Sequence, residues 1–112
     1  MMKRKEPSRV ILFRPPPDHL LAMVRVAAAD SKNVKFALHA LDRMDERGIT
    51  TLDALRVLRQ GDIVGDIVSG NKAGEWKCKI VKQMKGTREV GVVTIVMISG
   101  NLFVKTVEWE DL

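Results

Sequence analysis

The stretch Val90-Gly91-Val92-Val93-Thr94-Ile95-Val96-Met97-Ile98 is almost unbroken β-branched apolar sequence. A strand with one wet face alternates apolar and polar residues, whereas a run apolar at nearly every step reads as a strand covered on both faces. It is therefore expected at the centre of a sheet. The run is also the longest apolar stretch in the chain, interrupted by Gly91 and Thr94. It falls far short of the roughly 20 residues that cross a bilayer.

The flanks extend the strand into a sheet. Gly100-Asn101 is a two-residue hairpin signal, and Leu102 to Trp109 returns as a strand. On the other side Gly86-Thr87 turns the chain, and Glu75 to Met84 alternates, with Trp76, Cys78 and Ile80 opposite Lys77 and Lys79. The loop Ser69 to Gly74 separates this from a further candidate strand, Ile63 to Val68.

Before Gly61 the period is helical. Asp18 is a plausible N-cap for a helix to about Ala29, with Leu20, Leu21, Val24 and Ala28 on one face. A second helix is expected from Phe36 or Ala37 to Arg47, with Leu38, Leu41 and Met44 on its apolar side and Gly48 as its stop. Thr50 and Asp53 form a capping-box pattern that opens a third helix to about Gln60, with Leu52, Leu55, Val57 and Leu58 facing the core. Helices first and strands afterwards predict an α+β domain, three helices packed on a four-stranded antiparallel sheet.

At 112 residues the chain is expected to hold one hydrophobic core. Residues 17–112 are read as that single domain and residues 1–16 as a basic flexible tail, closed by Pro15-Pro16-Pro17. Within the tail Val10-Ile11-Leu12-Phe13 is apolar enough to dock somewhere. The net charge of +5 is unevenly placed: residues 1–14 carry five basic side chains against Glu6, and the other 98 carry 14 basic and 13 acidic ones. A high isoelectric point is thus poor evidence for a nucleic-acid site on the fold itself. One window does stand out, with Lys72, Lys77, Lys79, Lys82, Lys85 and Arg88 opposed only by Glu75. Such density suits phosphate binding, and it equally suits a solvated edge strand.

Most catalytic constellations are absent from the sequence. No phosphate-binding Gly-rich loop, H-E-x-x-H or G-x-S-x-G occurs. The lone Cys78 excludes an internal disulfide and a multi-cysteine zinc site, and its alternation with Trp76 and Ile80 makes it an inert buried thiol. No cofactor or metal is implied. Without an apolar segment after the basic N-terminal residues, a cytoplasmic protein with no membrane partner is expected.

The second helix carries more. His39, Arg43 and Arg47 recur every four residues and line one stripe, able to hold a phosphodiester and move a proton. Against this, Asp42, Asp45 and Glu46 are close enough in sequence to pair with the arginines on a solvated face.

The run His39-Ala40-Leu41-Asp42-Arg43-Met44-Asp45-Glu46-Arg47-Gly48-Ile49 resembles the H-A-x-x-R-M-x-x-R-G-I signature of a bacterial domain family of unknown function. Gly74 to Lys79, Gly91 to Thr94 and Thr106 to Trp109 are similar to its later blocks, so the resemblance covers residues 36–109. That family has been grouped with RelE-like and motility quorum-sensing-regulator-like toxin ribonucleases. The resemblance implies a metal-independent endoribonuclease or RNA-binding protein, with RNA and a cognate antitoxin as partners. RNA cleavage through the 2′-OH needs a base, an acid and cations for the phosphorane. His39, Lys77 and Lys79 are the catalytic candidates, with Glu75 or Glu108 able to stand in for His39. Arg43, Arg47, Arg88 and Lys105 are the RNA-binding candidates. The tyrosine that motility-type toxins use has no counterpart, since the chain holds none. A non-catalytic module binding an acidic partner is the alternative. The histidine stripe and the Lys77/Lys79 face are expected to border one electropositive groove, provided the second helix lies near the sheet edge.

Overall fold

The computed structural model describes residues 14–84 and 86–111. Helix α1 (Pro17–Ala28) leads through a 3-10 turn (Ser31–Asn33) into a short strand β1 (Val34–Phe36). Helices α2 (Leu38–Arg47) and α3 (Thr51–Gln60) follow, then strands β2 (Asp62–Ser69), β3 (Trp76–Gln83), β4 (Glu89–Val96) and β5 (Leu102–Trp109). The sheet order is β1-β5-β4-β3-β2, with β1 parallel to β5 and every other pair antiparallel. Among the described residues no helix is long and apolar enough to cross a membrane. The expected tail, including Val10 to Phe13, lies almost wholly outside the described residues.

The α+β class holds, and the sheet is corrected from four antiparallel strands to five mixed ones. The added strand is only three residues long, and its Val-Lys-Phe alternation is too brief to register as a period. Strand β4 lies between β3 and β5 as its composition predicts, and apart from its first residue it is buried or nearly so throughout.

Local capping follows the sequence closely in two places. Thr50 Oγ1 accepts the Asp53 N–H while the Asp53 carboxylate accepts the Thr50 N–H, both at 3.0 Å. Gly48 ends α2 at φ 70°, a left-handed conformation that side chains resist. At α1 the boundary moves: Pro16 is the N-cap, Pro17 sits at the first helical position, and Asp18 lies within the first turn. The Gly100-Asn101 expectation is also corrected. Val96 pairs with Leu102, which leaves a five-residue connection closed by Met97 N–H donating to Asn101 O at 2.9 Å.

Helices α1 and α3 cover one face of the sheet, and α2 packs along β5. Leu20, Val24, Leu55, Val57 and Leu58 meet Cys78, Ile80, Val92, Val96, Val104 and Val107 in a single core. Two predicted core positions are wrong: Leu38 is 82% and Leu52 is 73% exposed. Each stands in the first turn of its helix. On α2 the buried side chains are Ala40 and Met44, one narrow stripe against the sheet, and Leu41 is left largely outside it.

Candidate nucleic-acid interface

No helix among the described residues covers the second face of the sheet, and the strand register maps that face row by row. Lys35 is level with Phe103, Phe103 with Ile95, Ile95 with Lys77, and Lys77 with Val68. In the next row Thr106, Val93, Lys79 and Val64 are level. Beyond it come Glu108, Gly91, Val81 and Asp62. Alternation places all of these opposite the core-facing Leu102, Val104, Thr94, Cys78 and Ile80.

Strand β5 achieves this only through a bulge. Val93 pairs with Thr106 and Thr94 with Val104, so Lys105 is the extra residue. Leu102 and Val104 could not otherwise share the core face with Val107 and Trp109, because Val107 lies an odd step of three positions beyond Val104. The bulge resets the phase and sends both Lys105 and Thr106 to the open face. The Lys105 ammonium lies 5.6 Å from the centroid of the Phe103 ring.

The face is polarised along the strands. Lys35, Lys77 and Lys105 gather at one end around Phe103 and Ile95, while Glu108 and Glu110 stand toward the other. Lys79 lies between, with its ammonium 3.2 Å from Glu108 and 2.7 Å from Glu110. The hydrogen bond to Glu110, aided by Glu108, raises the Lys79 pKa against the opposing effect of burial. Glu110 Oε2 is buried and has no other polar partner among the described residues. This ion pair crosses over Gly91. A Cβ there would lie 2.8 Å from Lys79 Cε and 2.9 Å from Glu110 Cδ, so any larger residue would push the ends of these two side chains aside.

Helix α2 occupies the edge of β5 that β1 leaves open. Ala37 N–H donates to Val104 O at 2.9 Å, Arg47 Nη1 to Val107 O at 2.7 Å, and Trp109 Nε1 to Arg47 O at 2.9 Å. The His39/Arg43/Arg47 stripe is thereby divided. A four-residue step on a helix of 3.6 residues per turn drifts by about 40°, so Arg47 has turned roughly 80° from His39 toward Ala40 and Met44. Arg47 is half-buried and bonded to the sheet, contrary to its expected place off the apolar side. His39 and Arg43 are exposed.

The remaining candidates divide by partner. Arg43 pairs with Glu46 at 3.4 Å, as its neighbours on the helix anticipated. Arg88 holds Asp111 through two hydrogen bonds of 3.1 and 3.2 Å and stacks 3.9 Å over the Trp109 ring. Those bonds hold the Asp111 carboxyl below its usual range. Lys77 is exposed and has no ion pair among the described residues. Cys78 is buried, and desolvation pushes its thiol up to about 11, which leaves it inert at neutral pH. Glu75 is buried in its loop, where its carboxylate accepts the Lys72 N–H at 3.3 Å, so it is not placed to act as a base on the open face.

Arg47 and Lys79 are brought together. With Glu108, Trp109 and Glu110 they line a polar pocket of about 300 Å³, which His39, Arg43 and Lys77 do not reach. Two contributors escaped the sequence reading. Lys35 belongs to a strand too short to be noticed. Glu110 follows Glu108 by two residues, a spacing that would have placed it on the same face had β5 been followed past Trp109.

The profile of a domain family, described as a domain of unknown function (DUF4258), matches residues 36–109. The match takes in the last residue of β1, helices α2 and α3 and all four longer strands, and hence the basic face and the pocket apart from Lys35 and Glu110. No curated protein and no solved structure matches the chain.

Proposed function

The chain belongs to the DUF4258 family, which carries no assigned activity, and we propose, from the sequence resemblance together with the basic sheet face, that it is a small toxin-like, RNA-directed protein of the RelE-like kind. Its basic sheet face holds RNA phosphates, the Arg47/Lys79/Glu108 pocket beside that face is the candidate for phosphorane stabilisation, and the exposed His39 of α2 is the candidate for proton transfer. One observation supports the reading above the others: Lys35, Lys77 and Lys105 share a sheet face that no helix among the described residues covers, and Glu108 and Glu110 are engaged with Lys79. Lysines without an internal partner are the ones that gain most from a phosphate. Lys79, already neutralised, gains less in binding. Next to Glu108 and near Arg47 it is better placed for charge stabilisation.

The experiment measures RNA binding and cleavage across a salt series for wild type, His39→Ala and the double variant Lys77→Ala/Lys79→Ala. Each phosphate contact on a single strand contributes about 0.7 to the slope of log affinity against log salt. The double variant should lose binding and slope, Lys77 supplying the larger part, while His39→Ala should bind normally and lose cleavage. In cells, growth arrest on induction, rescued by a neighbouring gene product acting as antitoxin, is the expected counterpart. Wild type that neither binds nor cleaves RNA at low salt would overturn the proposal.

A second reading, a non-catalytic module for an acidic partner, is favoured by one feature. Arg43, Lys79 and Arg88 are already paired with carboxylates of their own chain, and Arg47 is spent on a backbone carbonyl. Binding of poly-glutamate without binding of RNA would select it.

A further inference from the structure

We propose that the basic face takes its nucleic acid as a single strand running across the strands of the sheet, with one base stacked on Phe103; this rests on the RNA-directed reading above. The row Lys35-Phe103-Ile95-Lys77 crosses β1, β5, β4 and β3. Three strand spacings of about 4.8 Å set Lys35 and Lys77 roughly 14 Å apart, with the ring of Phe103 between them. Charge dictates the direction of the chain. A strand laid lengthwise along β5 would leave Lys105 and meet Glu108 and Glu110, whereas one laid crosswise meets a lysine at either end of the row. Phe103 is only partly buried, and the ammonium of Lys105 stands 5.6 Å from its centroid. That ammonium is near enough to move onto a phosphate while a base takes its place over the ring.

A duplex does not fit this arrangement. Its bases are stacked on one another and present no π-face to the sheet, so Phe103 would contribute nothing to duplex affinity. Base–aromatic stacking is worth about 1–3 kcal/mol, which is roughly a 5- to 150-fold change in affinity. The aromatic need not read sequence, since every base has a π-face.

The test uses the full chain, an oligoadenylate 12-mer, the same 12-mer annealed to oligouridylate, and an abasic strand of equal length. Wild type should bind the 12-mer at least 5-fold more tightly than either the duplex or the abasic strand. Phe103→Leu should lose that preference and bind all three alike, while Phe103→Trp should keep it. Circular dichroism and urea unfolding establish that both variants fold, and the Trp variant keeps the test valid should the Leu variant unfold. Equal affinity for single strand and duplex, or a Phe103→Leu variant with unchanged preference, overturns this inference and leaves the RNA-directed reading standing. No binding of any of the three by wild type at low salt overturns both.

Discussion

Gly91→Ala tests the ion pair that closes the polar pocket. In a strand interior, alanine should by itself be better than glycine by roughly 0.5–1 kcal/mol, because glycine loses more freedom on folding. Here the added methyl would meet Lys79 Cε at 2.8 Å and Glu110 Cδ at 2.9 Å, so both side-chain ends must shift and the expected consequence is loss of their contact. Their side chains are 29% and 19% exposed, placing the pair between a surface ion pair worth about 0–1 kcal/mol and a buried one whose disruption costs about 3–5. A loss of about 2–3 kcal/mol against the gain of 0.5–1 predicts net destabilisation of roughly 1–2 kcal/mol. The assay is urea unfolding followed by tryptophan fluorescence, with the same substitution repeated in a Lys79→Ala/Glu110→Ala background. There the obstruction is gone, and Gly91→Ala should become neutral or stabilising. A single variant as stable as wild type, or an equal loss in both backgrounds, would refute the reasoning.

Four further outcomes are expected. Trp109→Phe removes the N–H that satisfies Arg47 O and should cost about 1–2 kcal/mol in urea unfolding, more than Trp76→Phe, whose indole makes no hydrogen bond among the described residues. Thr50→Ala breaks the reciprocal cap of α3 and should cost about 1 kcal/mol, with little change when Asp53→Ala is added to it. For pH, the folded thiol of Cys78 is raised to about 11 from 9.0, so the folded state holds the proton longer and stability falls as pH rises through that window; it should fall less in Cys78→Val. Lys79 is likewise raised in the folded state, so its contribution is complete below 10.5 and is lost above it; Lys79→Met should flatten that last part of the alkaline unfolding curve.

Much of the fold was legible because its signals are local. The capping box at Thr50 and Asp53, the glycine stop at Gly48, the alternation of β3 and the doubly buried β4 each depend on residues within a few positions of one another. The class and the central place of β4 follow from them. The errors lie where burial is decided by a distant surface: Leu38 and Leu52 are apolar and correctly phased within their helices, but nothing reaches their first turns. Strand β1 exists only because β5 offers an edge to three residues that have no period of their own.

For the candidate site the division is sharper. The sequence by itself determined the supply of cations, the alternation that turns Lys77 and Lys79 away from Cys78, and the burial that silences Cys78. Only the tertiary structure decided which cations remain available. The bulge at Lys105 arises because one strand must present Leu102, Val104, Val107 and Trp109 to a single core. The same constraint turns Lys105 and Thr106 outward together. Arg47 is withdrawn to Val107 O because a helix of 3.6 residues per turn carries it round toward the sheet. Lys79 is neutralised because Gly91 lets Glu110 reach it from two strands away. Charge type is written residue by residue, whereas the partner of each charge is set by register and packing, which no local spacing encodes.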